Sequence, residues 1–200
     1  MILRRLFVVL GVPAILVVIL AACATDTTIT SDDPDPSVVN QPVTVNYSVT
    51  RNGSPTGGVL VSDGIDSCTA SVVAGSCTLT LTTPGVRTLT ATYLGPAEDP
   101  GDDTDMETHT VLMPQEAIDN LILDVQNLVP PLTKDQADGL IAKLNGAKAK
   151  LDQEKTRPAC KILDAFANQV EGVVSAGFLT LGQGQSLTDM AAVIKTGAGC

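Results

Sequence analysis

The sequence predicts a chain of two parts, an all-β sandwich followed by a small four-helix bundle. Three observations carry that expectation. Apolar residues alternate with a period of two from Pro42 to Leu112, broken by Gly and Pro turns. After Met113-Pro114 the apolar spacing becomes helical. Within the helical part, Leu132-Thr133-x-x-Gln136 and Leu179-Thr180-x-x-Gln183 repeat one capping pattern.

Ahead of both parts lies a different kind of segment. Arg4 and Arg5 precede Leu6–Ala22, which holds no charge, and Leu20-Ala21-Ala22-Cys23 closes it. A basic head, an apolar core and a small-residue cleavage site make an export signal. An uncleaved spanning anchor is the rival reading, since the apolar run is just long enough. Gly11, Pro13 and the polar stretch after Cys23 count against it. Leu-Ala-Ala-Cys resembles the lipobox of bacterial lipoproteins. That resemblance implies removal of residues 1–22, acylation of Cys23 (palmitate among the chains) and a membrane-held, exported product. Several acyl chains anchor stably where one alone is marginal. Ala24, rather than Asp, after the cysteine implies the outer membrane or cell surface in a two-membrane bacterium.

The 200-residue chain has a net charge of −10, and loss of Arg4 and Arg5 takes it to −12. Such a surface is repelled by nucleic acid, which is excluded as a partner. Cys68, Cys77, Cys160 and Cys200 remain once Cys23 is set aside, an even number in an exported chain, which reads as two disulfides. Three connectivities are open. Pairing 68 with 77 and 160 with 200 is favoured because each bridge then stays inside one part of the chain. A four-cysteine metal site would want a Cys-x-x-Cys spacing, which neither pair has.

Residues 23–40 are rich in Thr, Ser, Asp and Pro, and read as a disordered acidic tether between the lipid and the first folded unit. The sandwich is expected over 41–112. Val43, Val45, Tyr47 and Val49 form one buried face; Val59-Leu60-Val61 follows the turns at Asn52-Gly53 and Gly57-Gly58. Cys68, Ala70 and Val72 share a face, as do Cys77, Leu79 and Leu81, and then Leu89, Ala91 and Tyr93. A last strand is expected near Thr108–Leu112.

Ser62-Asp63-Gly64, Cys68-Thr69-Ala70, Ala74-Gly75-Ser76-Cys77-Thr78-Leu79-Thr80-Leu81, Thr88-Leu89-Thr90-Ala91-Thr92-Tyr93 and His109-Thr110-Val111 resemble the bacterial Ig-like repeat domains of surface proteins. The resemblance implies an Ig-like antiparallel β-sandwich and supports the 68–77 bridge, with the cysteines on adjoining strands. A turn centred on Ala74-Gly75 would leave them out of register, and a turn at Val72-Val73 would align them. The sequence departs from the family at Gly95–Met106. Asp99, Asp102, Asp103 and Asp105 gather there as candidate calcium ligands, without EF-hand spacing. A solvated acidic loop is the favoured reading of that run.

In the helical part, 114–200, Ile118, Leu121, Ile122, Val125 and Leu128 make the first apolar stripe, which Pro130-Pro131 ends. Thr133 caps a second helix carrying Ala137, Leu140, Leu144 and Leu151 inward. Pro158 opens a third with Leu163, Phe166, Val170 and Val173, Gly177 stops it, and Thr180 caps a fourth. Two similar helical hairpins packed into a bundle account for this pattern. Ile118-Asp119-Asn120-Leu121-Ile122, Leu140-Ile141-Ala142-Lys143-Leu144 and Asn168-Gln169-Val170 resemble the FIMAH module found at the ends of bacterial secreted and surface proteins. That resemblance supplies no ligand.

No chemistry is evident. His109, the one histidine, falls in a strand, and no Gly-x-Ser-x-Gly elbow or phosphate loop is present. With no Trp, two Tyr and three Phe, the chain lacks a sugar-stacking platform. The expectation is a non-catalytic envelope lipoprotein that presents a spacer and a binding module for adhesion or scaffolding, with no cofactor. The alternatives are an accessory subunit of an extracellular hydrolase and a calcium-stabilised adhesion module.

Overall fold

The alternation that begins at Pro42 folds as a strand whose Val43, Val45, Tyr47 and Val49 are buried while the residues between them are outward. The computed structural model describes residues 25–51, 53–95 and 103–200. In it, β1 (Asp26–Asp33), β3 (Pro42–Thr50) and β6 (Ser76–Thr80) form one sheet in the order β1-β3-β6. The other sheet has the order β2-β8-β7-β4-β5, from β2 (Ser37–Val38), β4 (Gly58–Ser62), β5 (Ser67–Ser71), β7 (Gly85–Leu94) and β8 (Thr104–Leu112). Val43, Val45 and Leu79 of the first sheet share one buried cluster with Val59, Val61, Leu89, Ala91 and Tyr93 of the second. All pairings are antiparallel except β2 with β8, which is parallel.

Residues 26–40 are not a tether. They supply β1, which pairs with β3 from Asp26↔Thr50 to Asp33↔Thr44, and β2, which pairs with the end of β8. Asp-Pro-Asp-Pro carries the chain from one sheet to the other between them. The polar composition misleads because β1 is an edge strand that buries only Thr27 and Ile29. Its β-branched run, Thr27-Thr28-Ile29-Thr30, suits a half-buried pleat.

The Cys68–Cys77 bridge also differs from the expectation of adjoining strands. Cys68 lies on β5, at the edge of one sheet, and Cys77 on β6, at the edge of the other. A 3-10 turn at Val72–Ala74 and Gly75, at φ +68°, make the crossover, so the turn need not shift. The bridge spans 6.0 Å between Cα atoms and staples the two sheets together.

The turn between β4 and β5 is held by its own carboxylates. Asp63 Oδ1 accepts the N–H groups of Ile65 and Asp66, and its Oδ2 accepts from Arg87 Nε at 2.8 Å. Burial alone would raise the Asp63 carboxyl; those two N–H groups and the Arg87 guanidinium outweigh it and hold it below the usual carboxylate range.

Leu112 leads into the bundle through Met113, whose N–H is accepted by Glu116 Oε2. The helices are α1 (Pro114–Asn127), α2 (Lys134–Leu151), α3 (Thr156–Ser175) and α4 (Leu181–Gly197). Thr133 and Thr180 both cap through reciprocal bonds with Gln136 and Gln183, so the repeated motif starts α2 and α4. Each helix packs on its sequence neighbours and α4 returns to α1, which closes the bundle. Phe166, Leu140, Leu163, Leu144 and Ile194 are fully buried at its centre. Cys160 pairs with Cys200 at a Cα separation of 5.9 Å, tying the last residue to α3.

The two parts touch through a specific seat. Val38 of β2 belongs to the helical core, and a Cβ on Gly197 would stand 2.7 Å from Val38 Cγ1 and 2.9 Å from Val39 O. Only a residue without a side chain lets α4 approach β2 that closely.

Two outcomes are expected. Replacing Cys160 and Cys200 by Ala releases a 40-residue loop and should lower bundle stability by about 4 kcal/mol, read by helical circular dichroism in guanidinium. Asp63 stabilises the fold above the ordinary carboxylate pKa, and that contribution is lost as pH falls through its depressed folded value. Asp63→Asn should therefore destabilise the sandwich near neutral pH and flatten its loss of stability between pH about 5 and 3, measured as melting temperature against pH.

Candidate functional site

His109 is a fully buried polar residue on the inward face of β8. A bulge in β1 determines what it meets. Ile29 stands opposite Tyr47 and Ser31 opposite Asn46, so Thr30 is the extra residue. Thr27 and Ile29 point inward before the bulge; after it the inward position passes to Asp32, which unbroken alternation would turn out. Asp32 Oδ2 then lies 2.7 Å from His109 Nδ1. The Pro34 and Pro36 rings set the course of the crossing segment. Ser37 follows it into β2, where its Oγ stands 2.8 Å from His109 Nε2. Asp35, between the prolines, accepts the Thr110 N–H through Oδ1, and that oxygen is 3.6 Å from His109 Nδ1.

Serine, imidazole and carboxylate follow one another in the order of a catalytic triad. The burial decides against that chemistry: Ser37 and His109 have no exposed surface, and Ser37 is locked beside Val111 in the β2–β8 ladder. A nucleophile must reach a substrate carbonyl, and this hydroxyl cannot. What the array does is satisfy a buried imidazole at both nitrogens while holding the crossing segment against β8.

Of the four calcium candidates, Asp99 and Asp102 lie outside the described residues, as does Cys23. Asp103 and Asp105 are otherwise engaged. An Asp103 carboxylate oxygen accepts the Thr27 N–H, and Asp105 Oδ2 accepts the Ile29 N–H at 2.8 Å. Asp103, just before β8, and Asp105, within it, cap the free edge of β1 and close that side of the sandwich.

Residues 29–111 match the family model of the bacterial Ig-like domain, group 3. The β part is Ig-like. No curated protein and no solved structure matches the chain. The Ig-like match begins inside β1, and so takes in Asp32, Asp35 and Ser37. It suggests a non-catalytic surface or adhesion-type module.

His109 is legible in the sequence as a strand residue, but its three partners are not, because they lie in a stretch whose polar composition reads as a tether. The β-branched residues at 27–30 and the apolar pair Val38-Val39 were the available signal.

Ser37→Ala should leave a buried His109 nitrogen without a partner and cost about 1–3 kcal/mol in chemical denaturation. A fluorophosphonate probe, which labels accessible activated serines, should leave Ser37 of the native protein unmodified by peptide mass spectrometry.

Proposed function

We propose that this chain is a non-catalytic envelope lipoprotein, anchored through Cys23, whose Ig-like domain is a spacer and whose helical bundle carries the partner-binding face. The observation that supports this most is the opposition of two ends. Asp26 pairs with Thr50 at the end of the sandwich away from the bundle, so a chain held at Cys23 would enter there. The bundle meets the sandwich through the start of α1 and the end of α4. Its α1–α2 and α3–α4 connections therefore lie at the far end, about 20–30 Å on for helices of these lengths.

At that far end Leu123, Val129, Phe178 and Leu181 are 55%, 43%, 39% and 77% exposed. Among the described residues no helix is long and apolar enough to cross a membrane. Attachment in this reading rests on the N-terminal segment.

Fractionation of wild type beside Cys23→Ala tests the anchor. The wild type should pellet with membranes and yield an acylated N-terminal peptide beginning at Cys23, and the variant should not. An intact Met1 in the pellet would contradict the lipoprotein reading. For the bundle, Phe178→Ser with Leu181→Ser should weaken adhesion of cells displaying the protein by tenfold or more, if the pair acts as a buried anchor of about 2 kcal/mol, with little change in melting temperature.

A further inference from the structure

Among the described residues, several places are open to a ligand. The groove between α3 and α4, lined by Val170, Val174, Leu181 and Gly184, and the far end of the bundle both lack anything that names an occupant. The cluster around His109 is different, because its chemistry specifies what it would hold.

We infer that Asp32, Asp35 and His109 form a binding site for a zinc-class divalent cation, which fastens the β1–β2 crossing to β8. The ligand atoms, one imidazole nitrogen and two carboxylate oxygens, all lie within 4.8 Å of one another. Tetrahedral ligands about 2.0–2.2 Å from zinc stand about 3.3 Å apart. His109 Nδ1 is 2.7 Å from Asp32 Oδ2 and 3.6 Å from Asp35 Oδ1, so small side-chain movements of opposite sense reach that spacing.

The surroundings fit the same occupant. Ser37 Oγ stands at the other ring nitrogen, where a metal-bound imidazole needs a partner for its remaining N–H. An imidazole that coordinates through the Nδ1 lone pair carries its proton on Nε2, and Ser37 Oγ is placed to accept it there. Asp32 is 12% and Asp35 38% exposed, which leaves the fourth position open to water. Two carboxylates also bring negative charge to be balanced. Residues 26–112 carry only two basic side chains, Arg51 and Arg87. Arg87, opposite His109 in the β7–β8 register, spends its guanidinium on Asp63. A mixed nitrogen and oxygen set of three protein ligands favours zinc and its neighbours; calcium takes six to eight oxygens.

The test uses the full, untagged chain in mild detergent, stripped with chelator and titrated with zinc chloride. Because the chain has a single histidine, its imidazole nitrogen resonances report one site. One equivalent of zinc should shift the Nδ1 resonance and raise the melting temperature, and equal calcium or magnesium should do neither. Asp35→Asn keeps an oxygen for the Thr110 N–H and should fold as wild type, while weakening zinc binding at least about tenfold. His109→Gln should abolish the thermal shift; if it fails to fold, the Asp35 variant and the imidazole resonances decide. An unmoved imidazole spectrum at millimolar zinc would overturn the proposal. So would a zinc-induced thermal shift that Asp35→Asn leaves unchanged.

Discussion

The structure turns on a strand that changes sheets. β1 pairs with β3 on one side of the sandwich, and a few residues later β2 pairs with β8 on the other. A polypeptide making that crossing exposes backbone and polar side chains at the moment it passes the core edge, and each buried polar group there must be satisfied. His109 meets that constraint. Its two nitrogens take Asp32 before the crossing and Ser37 after it, and Asp35 in the middle holds the Thr110 N–H. The bulge at Thr30 is what turns Asp32 toward the ring.

The same crossing also positions the helical part. Val38, the second residue of β2, leaves the sandwich core and joins the bundle core, against Gly197 at the end of α4. β8 runs into α1 through a single connecting residue, Met113. The Ig-like domain and the bundle are thus joined by a short covalent link and by a packed contact that depends on β2 being in place. Disturbing the His109 array would reach the bundle through Val38.

Much of this was legible in the residues. Six of the strands were readable from apolar residues that share a face or form a short run, set off by Gly and Pro turns. The helices were equally plain, because Thr133 and Thr180 start α2 and α4, and Gly177 follows the end of α3. The first two strands were hidden for a physical reason. An edge strand buries little, and β1 satisfies its outer N–H groups with Asp103 and Asp105, partners more than seventy residues away. Acidic residues that look solvated from local composition are here hydrogen-bond acceptors. The cross-sheet position of the Cys68–Cys77 bridge was illegible likewise, since local spacing does not say whether a turn joins neighbours in a sheet or crosses between sheets.

Native-state amide hydrogen exchange tests the central claim most directly. If residues 26–39 are built into the sandwich, the amides of Thr27, Ile29 and Val39 should be protected to the same order as those of β8 and exchange with it in one cooperative opening. Exchange of these three amides at the rate of an unfolded peptide, with β8 still protected, would contradict the account. Residues 26–39 would then be a tether after all, and the Asp32–His109–Ser37 array would not hold the fold.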